Sequence, residues 1–304
     1  MKFPPIDPSR AVTYPLKQRS SKVAAQGFGS RWKTGGSLSD FLRSLPDILA
    51  AADMGEIVRR IAAAVQAGRP VVLGMGAHPL KVGLSPLIID LLERNIISAI
   101  AMNGAGIIHD FELAYQGATS EDVAASLDTG QFGMARETGE ILNAAIRTGV
   151  KEEGLGIGRA VGERIQAEQF PHASLSVLAA CARLDVPACV HVAIGTDIIH
   201  MHPQADGAAI GQGSLRDFHL LTSVVAQLEG GVFINLGSAV IIPEVFLKAL
   251  SLARNLGATV KVFTTVDLDF IRHYRPTVNV VHRPTQQGGR GFQLTGHHEI
   301  LFPL

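Results

Sequence analysis

The chain has 304 residues, of which 47% are hydrophobic and 18% charged, so it can bury the core of one large α/β domain or two smaller ones. Its 27 basic and 27 acidic residues give a formal net charge of zero, which argues against a nucleic-acid-binding surface or a basic membrane patch. No apolar run approaches the roughly 18–20 residues that span a bilayer, and the first five residues contain no apolar signal core. We therefore expect a cytoplasmic protein, in which Cys181 and Cys189 are buried free thiols.

The first 38 residues have an irregular composition. Four prolines, a basic polar stretch over residues 17–22 and four glycines follow one another along this segment. Because it offers no periodic apolar face, we expect an N-terminal arm that crosses a neighbouring surface. Ser37 or Ser39 is expected to cap the first helix.

From residue 39 onward, helical and strand-like patterns alternate, and we treat residues 39–304 as one domain. Strands are predicted over residues 71–73, 96–102, 190–194, 232–236 and 260–263. Helices are predicted over residues 41–49, 57–65, 86–93, 158–166, 175–184, 218–228 and 243–256, with further helical segments between residues 114 and 147. Aliphatic strands that alternate with helices predict a doubly wound, mostly parallel Rossmann-like α/β sheet with helices on both faces. A C-terminal hairpin is predicted from residues 278–282 and 292–299 around a glycine-rich turn.

Small and polar residues follow each predicted strand. The carboxyl ends of parallel strands meet at one edge of a sheet, which is where open α/β sheets bind ligands. Small residues there let a ligand approach the backbone closely. We therefore predict a nucleotide crevice whose cofactor contacts are Gly74, Gly76, His78, Asn103, Gly104, Ala105, Thr196, Asp197, Gly237, Ser238, Thr265 and Val266.

A second glycine run, over residues 154–162, looks like a dinucleotide fingerprint. Glu152 and Glu153 precede it where a strand is required, so the structural context of that motif is absent. We expect this run to be a loop that leads into a helix.

Three side chains are candidates for catalysis: His109, Asp110 and His200. A neutral imidazole can accept a proton while a hydride is removed from a substrate, and a nearby carboxylate can fix its tautomer. The polar segment that begins at Asn103 places His109 and Asp110 next to the predicted crevice.

Two other functions stay open. Asp197, His200 and His202, with Asp206, offer ligands within ten residues for a divalent metal, which would suit a metal-dependent hydrolase or lyase. No signature such as His-Glu-x-x-His is present, so a metal is the less favoured cofactor. A non-catalytic nucleotide-binding protein is the third interpretation.

The order and spacing of these elements resemble deoxyhypusine synthase over about residues 40–270. The motifs that carry the resemblance are Leu73-Gly74 with residues 77–81, Asn103-Gly104-Ala105-Gly106 with Asp110 and Phe111, Thr196-Asp197, residues 237–241, and Thr264-Thr265-Val266. The resemblance implies a Rossmann-like fold, NAD as cofactor, and a homo-oligomer, either a dimer or the homotetramer of the family. In that family, sites between paired subunits move the butylamine group of spermidine onto a protein lysine through an enzyme lysine imine.

The chain departs from the family where the polyamine would bind. Ile108 and His109 stand where the family has two acidic residues, and His200 replaces a polyamine-binding aspartate. The catalytic Trp-Gly-Lys segment is missing, because no lysine follows Lys261 and the only tryptophan is Trp32. Without that amine no enzyme imine forms. We therefore expect a deoxyhypusine synthase-like transferase or oxidoreductase that acts on a small molecule and is not a true deoxyhypusine synthase.

Overall fold

The computed structural model describes residues 2–304, and the chain divides into two units, residues 1–53 and residues 54–304. The arm boundary predicted after residue 38 stays a prediction. Among residues 2–304, none of the helices has both the length and the apolar character that crossing a bilayer requires.

Residues 2–53 contain little regular structure and no buried side chain. Short 3₁₀ turns lie at Pro8–Arg10, Leu16–Gln18 and Ala25–Gly27, and helix α1 spans Leu38–Ser44. The Ser37 hydroxyl accepts a hydrogen bond from the backbone N–H of Asp40, whose carboxylate accepts one from the N–H of Ser37. This reciprocal capping box confirms Ser37 as the cap of the first helix.

The larger unit contains six strands and the remaining helices of the described chain. The strands are β1 (Val71–Met75), β2 (Ala99–Asn103), β3 (Ala188–His191), β4 (Val232–Leu236), β5 (Thr264–Asp269) and β6 (Arg290–Thr295). The helices are α2 (Leu49–Gln66, which begins in the first unit), α3 (His78–Lys81), α4 (Ser85–Glu93), α5 (Gly104–Gln116), α6 (Val123–Leu127), α7 (Arg136–Lys151), α8 (Ile157–Glu168), α9 (Val177–Leu184), α10 (Gly207–Val225), α11 (Ile241–Asn255), α12 (Tyr274–Pro276) and α13 (His298–Leu301). Shorter turns lie at Ala173–Leu175 and Ile198–Met201, and a π-helical segment at Thr277–His282.

The six strands form one sheet in the order β3-β2-β1-β4-β5-β6, and every neighbouring pair is parallel. Met75, at the end of β1, pairs with Met102 of β2 on one side and with Leu236 of β4 on the other. The chain order therefore reverses between β1 and β4, which is the topological switch point of a doubly wound sheet. The predicted Rossmann-like α/β fold is confirmed.

Both faces of the sheet are apolar, as a buried parallel sheet requires. One face presents Leu73 and Ile234 to the larger core cluster. The other presents Phe233, whose ring stacks on Phe246 of α11 at a centroid distance of 3.7 Å. Truncating such a buried ring to alanine typically costs about 3–5 kcal/mol, so this core holds the strand ends rigidly in place.

The strand predicted over residues 260–263 is wrong. The carbonyl of Val260 accepts two hydrogen bonds from the Arg254 guanidinium, at 2.9 and 2.7 Å. The Glu229 carboxylate accepts the backbone N–H groups of Lys261 and Val262, at 2.5 and 3.0 Å. Because side chains take these backbone groups, the ladder begins only at Thr264.

The predicted C-terminal hairpin is also wrong. Residues 277–282 are helical, and β6 pairs with β5 in the parallel direction. A parallel pair needs a crossover connection, and the helical residues 274–282 supply it. The sheet therefore ends in a sixth parallel strand, so another strand end, at Thr295, joins the carboxyl edge.

Candidate functional site

Polar side chains converge on a cavity at the carboxyl edge of the sheet, beside β2. The cavity has a volume of about 220 Å³, and its polar lining consists of Lys81, His109, Glu112, Glu121, Thr196 and Asp197 with Ser120. We call it the His109 cavity. It brings together four of the predicted site residues: Ala105, His109, Thr196 and Asp197.

The segment that begins at Asn103 is the start of a helix rather than an open bend. Asn103 caps α5, because its side-chain oxygen accepts the backbone N–H of Gly106 at 3.2 Å. A Cβ on Gly104 would overlap the carboxylate of Asp197, and one on Gly106 would stand 2.8 Å from the sulfur of Met102. The glycines therefore make room for the chain's own side chains, which corrects the expectation that they serve ligand approach.

Asp197 is buried, and its Oδ2 has no hydrogen-bond partner among residues 2–304. Burial raises the pKa of this carboxyl, and His200 opposes the increase. Nδ1 of His200 accepts the N–H of Gly195 at 3.2 Å, so the neutral imidazole carries its proton on Nε2, which lies 3.9 Å from Oδ2 of Asp197. His200 therefore lies beside Asp197, and it is not one of the residues that line the cavity.

His109 lies on α5, half-buried, with one ring nitrogen engaged. Its Nδ1 lies 2.7 Å from the hydroxyl oxygen of Thr119, which lies 2.5 Å from Oε2 of Glu112. The Thr138 hydroxyl donates to the other oxygen of Glu112 at 3.1 Å. Burial, with a smaller contribution from the positive charge of Lys81, lowers the pKa of His109 to about 4. The imidazole is therefore neutral at pH 7.

Asp110 has a structural role in place of the predicted catalytic one. It is fully buried, and it accepts the Ser176 hydroxyl at 2.5 Å and the backbone N–H groups of Val177 and Leu178 at 2.7 and 3.1 Å. Its carboxylate therefore occupies the N-terminus of α9, a position that favours negative charge. Burial raises its pKa to about 6.

The glycine run over residues 154–162 is a loop that leads into a helix, as the missing strand indicated. It leads into α8, which helix α7 precedes in place of a strand. The Asp217 carboxylate fills the N-terminus of α8, where it accepts the N–H of Gly158 at 3.0 Å, and also that of Val190 at 2.9 Å. The chain's own carboxylate thus stands where a phosphate would bind.

The glycines at the switch point likewise pack against protein atoms. A Cβ on Gly74 would meet Ile242, one on Gly76 would meet the carbonyl of Gly237, and one on Gly237 would overlap the ring of His298. Gly237 also has a φ of +66°, which favours glycine. Ser238 is buried, and its hydroxyl accepts the N–H of Ile242 at the start of α11, at 3.2 Å.

A second polar group, which the sequence reasoning missed, lies at the switch point. His298 is 1% exposed, and its Nε2 lies 3.5 Å from Oδ1 of Asp269 at the end of β5. The ring centroids of His78 and Phe270 lie 5.3 and 5.8 Å from that of His298. His78 is exposed, but neighbouring atoms partly shield its ring from water, and this desolvation lowers its pKa. The nearby His298 and Lys81 lower the pKa further. The period-two pattern of residues 264–269 was the signal that Asp269 ends this strand.

Thr265 and Val266 do not lie at a strand end. They are the second and third residues of β5, they pair with Phe233 and Ile234, and both are completely buried. The misplaced strand at residues 260–263 led to their assignment as cofactor contacts. A ligand at the carboxyl edge meets the far end of β5 instead, at Asp269.

The structure does not assemble the metal cluster of the hydrolase or lyase alternative. His202 is buried, its Nε2 lies 2.9 Å from the carbonyl oxygen of Gly133, and its ring fills the space beside Gly139. Asp206 caps α10 and pairs with Lys151. Over residues 2–304 there is no group of three or more His, Cys, Asp or Glu side chains placed to hold a metal ion.

No model of a known protein family matches the chain, and no curated protein sequence matches it. Solved structures do. ArgZ, an arginine dihydrolase from the ornithine-ammonia cycle in Cyanobacteria, aligns with a TM-score of 0.52 and 16% identity over 84% of this chain and 32% of its own. AgrE, solved with ornithine and NAD⁺, aligns with a TM-score of 0.52 and 14% identity over 83% of this chain and 32% of its own.

A provisionally named deoxyhypusine synthase from Entamoeba histolytica aligns with 12% identity over 90% of this chain and 93% of its own, at a TM-score of 0.49. The chain spans about a third of the length of ArgZ and AgrE. At these identities, the likeness to ArgZ and AgrE shows a shared Rossmann-like fold. The resemblance to deoxyhypusine synthase stays a prediction.

Proposed function

We propose that this chain is an NAD-dependent enzyme, a transferase or oxidoreductase, that removes a hydride and a proton from a small molecule in the His109 cavity. One observation carries the proposal. A neutral imidazole, His109, shares a cavity with the buried carboxylate of Asp197. The cavity lies at the carboxyl edge of a Rossmann-like sheet, where ligands of such sheets bind.

The cavity fits the ribose of a dinucleotide better than its pyrophosphate. Asp197 lines the cavity, so its carboxylate is placed to accept a hydrogen bond from a ligand hydroxyl. Dinucleotide-binding sheets use an acidic side chain on a ribose hydroxyl in this way. Because a phosphate beside that carboxylate is repelled, we assign the pyrophosphate to the segment after β1, where Lys81 supplies positive charge and His78 is exposed.

The chemistry divides between cofactor and protein. When bound, NAD⁺ accepts a hydride, and with it two electrons, from a substrate carbon. His109 takes the proton from the neighbouring oxygen or nitrogen, so a C=O or C=N bond replaces the broken C–H and O–H or N–H bonds. Asp197 orients the ribose, and Val123 and Phe132 form an apolar wall that limits water. Because His109 is neutral at pH 7, its lone pair is ready to accept the proton.

Isothermal titration calorimetry with NAD⁺ and NADH tests the proposal. We expect both to bind, and Asp197→Asn to weaken binding about tenfold or more, a loss of about 1.4 kcal/mol or more. Asp206→Asn is the matched control, since that carboxylate lies in the same sequence segment and outside the cavity, and it leaves the affinity unchanged.

Three results would count against parts of the proposal. If neither nucleotide gives heat or a thermal shift at millimolar concentration, the NAD assignment fails. Binding that is insensitive to Asp197→Asn places the nucleotide elsewhere. Binding without turnover of any alcohol or amine, and without an effect of His109→Gln, supports the non-catalytic alternative.

We also propose a homo-oligomer, dimer or tetramer, in the cytoplasm. Residues 2–53 leave Phe3, Ile6 and Val12 exposed to 80%, 91% and 97%, and contact with another chain would remove these apolar side chains from water. Both Cys181 and Cys189 are free thiols, which suits a reducing compartment. Sedimentation velocity checks the assembly: two or four chain masses are expected, and a single chain mass contradicts it.

A further inference from the structure

The contact between His109 and Thr119 has a direction that its neighbours determine. Thr119 has one hydroxyl proton, and its oxygen lies 2.5 Å from Oε2 of Glu112, within the 2.5–2.7 Å typical of a hydroxyl that donates to a carboxylate. That proton is therefore committed to Glu112. The nearby Nδ1 of His109, at 2.7 Å from the same oxygen, is then left as the donor.

The opposite direction would require a protonated Glu112. An ionised carboxylate only accepts hydrogen bonds, and Glu112 accepts one from Thr138 as well as one from Thr119. Carboxyl side chains are ordinarily ionised at neutral pH. Two hydroxyl donors from two parts of the chain, the loop after α5 and the start of α7, thus hold Glu112 in its acceptor form.

We infer that Thr119 and Glu112 are positioning residues that lock His109 in the tautomer with its proton on Nδ1. The inference rests on the proposed function, in which His109 accepts a proton from the substrate. In this tautomer Nε2 has a free lone pair, which accepts that proton. Proton transfer then makes the imidazolium, whose Nδ1–H already points along Thr119 toward the negative charge of Glu112. The carboxylate that fixes the tautomer is therefore Glu112, through a hydroxyl, since Asp110 is committed to α9.

The lock depends on how the chain continues after α5. Gly117 ends the helix with a φ of +73°, and the chain turns back so that Thr119 reaches a side chain ten residues earlier. Further along, Glu121 accepts the N–H of Gly133 at 2.8 Å, which closes residues 121–133 into a loop beside the cavity. The base is thus correctly protonated only when this loop is folded against α5.

Nitrogen-15 NMR of protein labelled at histidine and purified without a histidine tag tests the inference, with the signals of His109 assigned through His109→Gln. In the wild type, the proton is expected on Nδ1 of His109. Thr119→Ser keeps it there, whereas Thr119→Val removes the acceptor and shifts the proton wholly or partly to Nε2. Glu112→Met frees the Thr119 hydroxyl to donate to Nδ1, which reverses the tautomer. Thr129→Val, in the same loop and bonded to the carbonyl of Ser126, is the control and changes nothing.

A wild-type His109 with its proton on Nε2 would overturn the inference. So would a Thr119→Val variant that is folded by circular dichroism and keeps the wild-type tautomer. If Glu112→Met does not fold, the valine and serine variants of Thr119 still decide. Calorimetry on the wild type separates this result from the proposed function: a protein that carries the proton on Nδ1 of His109 but does not bind NAD⁺ contradicts only the function, and a protein that binds NAD⁺ but carries the proton on Nε2 contradicts only the lock.

Discussion

The carboxylate of Asp197 lies against the Cα of Gly104, in the space that a Cβ would fill. Asp217 lies in the same way against Gly156, at the start of α8. In both places a glycine at a helix start, which in a sequence looks like room for a ligand phosphate, holds a carboxylate of the same chain. In both places the oxygen against the glycine, Oδ2 of Asp197 or Oδ1 of Asp217, has no hydrogen-bond partner among residues 2–304. The difference is that the other oxygen of Asp217 accepts two backbone N–H groups.

Replacing Gly104 with alanine is expected to displace Asp197. The new Cβ would overlap the carboxylate, and overpacking of this kind costs typically about 1–3 kcal/mol of unfolding free energy. If Asp197 holds the ribose, NAD affinity falls as well. Urea denaturation and calorimetry measure the two effects.

Gly211→Ala is the control for that substitution. Gly211 lies inside α10 with open space where its Cβ would be, so alanine is expected to raise the unfolding free energy by up to about 1 kcal/mol through helix propensity. NAD affinity should not change. Equal, small effects of the two substitutions would show that Asp197 can move away from Gly104 without consequence.

Asp110→Ala is expected to destabilise the fold without affecting nucleotide binding. The substitution leaves the N–H groups of Val177 and Leu178 and the Ser176 hydroxyl without their buried acceptor, a loss on the order of 3 kcal/mol. Chemical denaturation measures it, and the exposed Asp128→Ala should stay within about 0.5 kcal/mol of the wild type. Loss of NAD-dependent turnover in a fully stable Asp110→Ala protein that still binds NAD would restore the catalytic role.

Thr265→Val distinguishes a strand-interior position from a cofactor contact. The hydroxyl of Thr265 is completely buried and has no partner in the described chain, so its isosteric removal is expected to stabilise the protein by about 1 kcal/mol. NAD affinity should be unchanged. Thr264→Val is the comparison, because the Thr264 hydroxyl accepts a hydrogen bond from Arg60 at 3.3 Å and its loss should not stabilise. Weaker NAD binding in Thr265→Val would contradict the position of β5.

The sequence was sufficient for the fold wherever apolar periodicity decides the structure. The ends of strands β1, β2, β3 and β4 lie within about three residues of their predicted positions, because their aliphatic residues are buried on both faces. The strand predicted at residues 260–263 failed because two side chains outside that segment, Arg254 and Glu229, take its backbone groups. Hydrogen bonds between a side chain and the backbone produce no periodic pattern in the sequence, so the sequence does not predict them.

The site was predictable only in part, and for a related reason. His109 and Asp197 were found because polar residues at strand ends of a parallel sheet must meet. The hydrogen-bond partners of these side chains could not be predicted. Nothing in the sequence spacing shows that Asp110 accepts the N–H of Val177, or that Thr119 contacts His109. The glycines were the least reliable guide to the site. The sequence does not distinguish a glycine that packs against a side chain of the same chain, as Gly237 packs against His298, from a glycine that packs against a ligand.

Acidification is expected to weaken the fold through His191, at the end of β3. This imidazole is 4% exposed, and burial lowers its pKa to about 4. Since the unfolded state has the ordinary value near 6.5, it binds more protons than the folded state between pH 6.5 and 4. The contribution to stability is therefore complete above pH 6.5 and is lost as the pH falls toward 4, by roughly 3 kcal/mol in total.

The difference in unfolding free energy between the wild type and His191→Gln isolates this effect. Asp110 and Asp217, whose pKa values burial raises to about 6 and about 7, act in the opposite direction over the same range, and they cancel in the difference. Urea denaturation at several values between pH 4 and pH 7 should give a difference that rises with pH. The exposed His282→Gln serves as the control with a flat difference. A flat curve for His191→Gln as well would mean that the folded imidazole titrates at its ordinary pKa, so water would have to reach the end of β3.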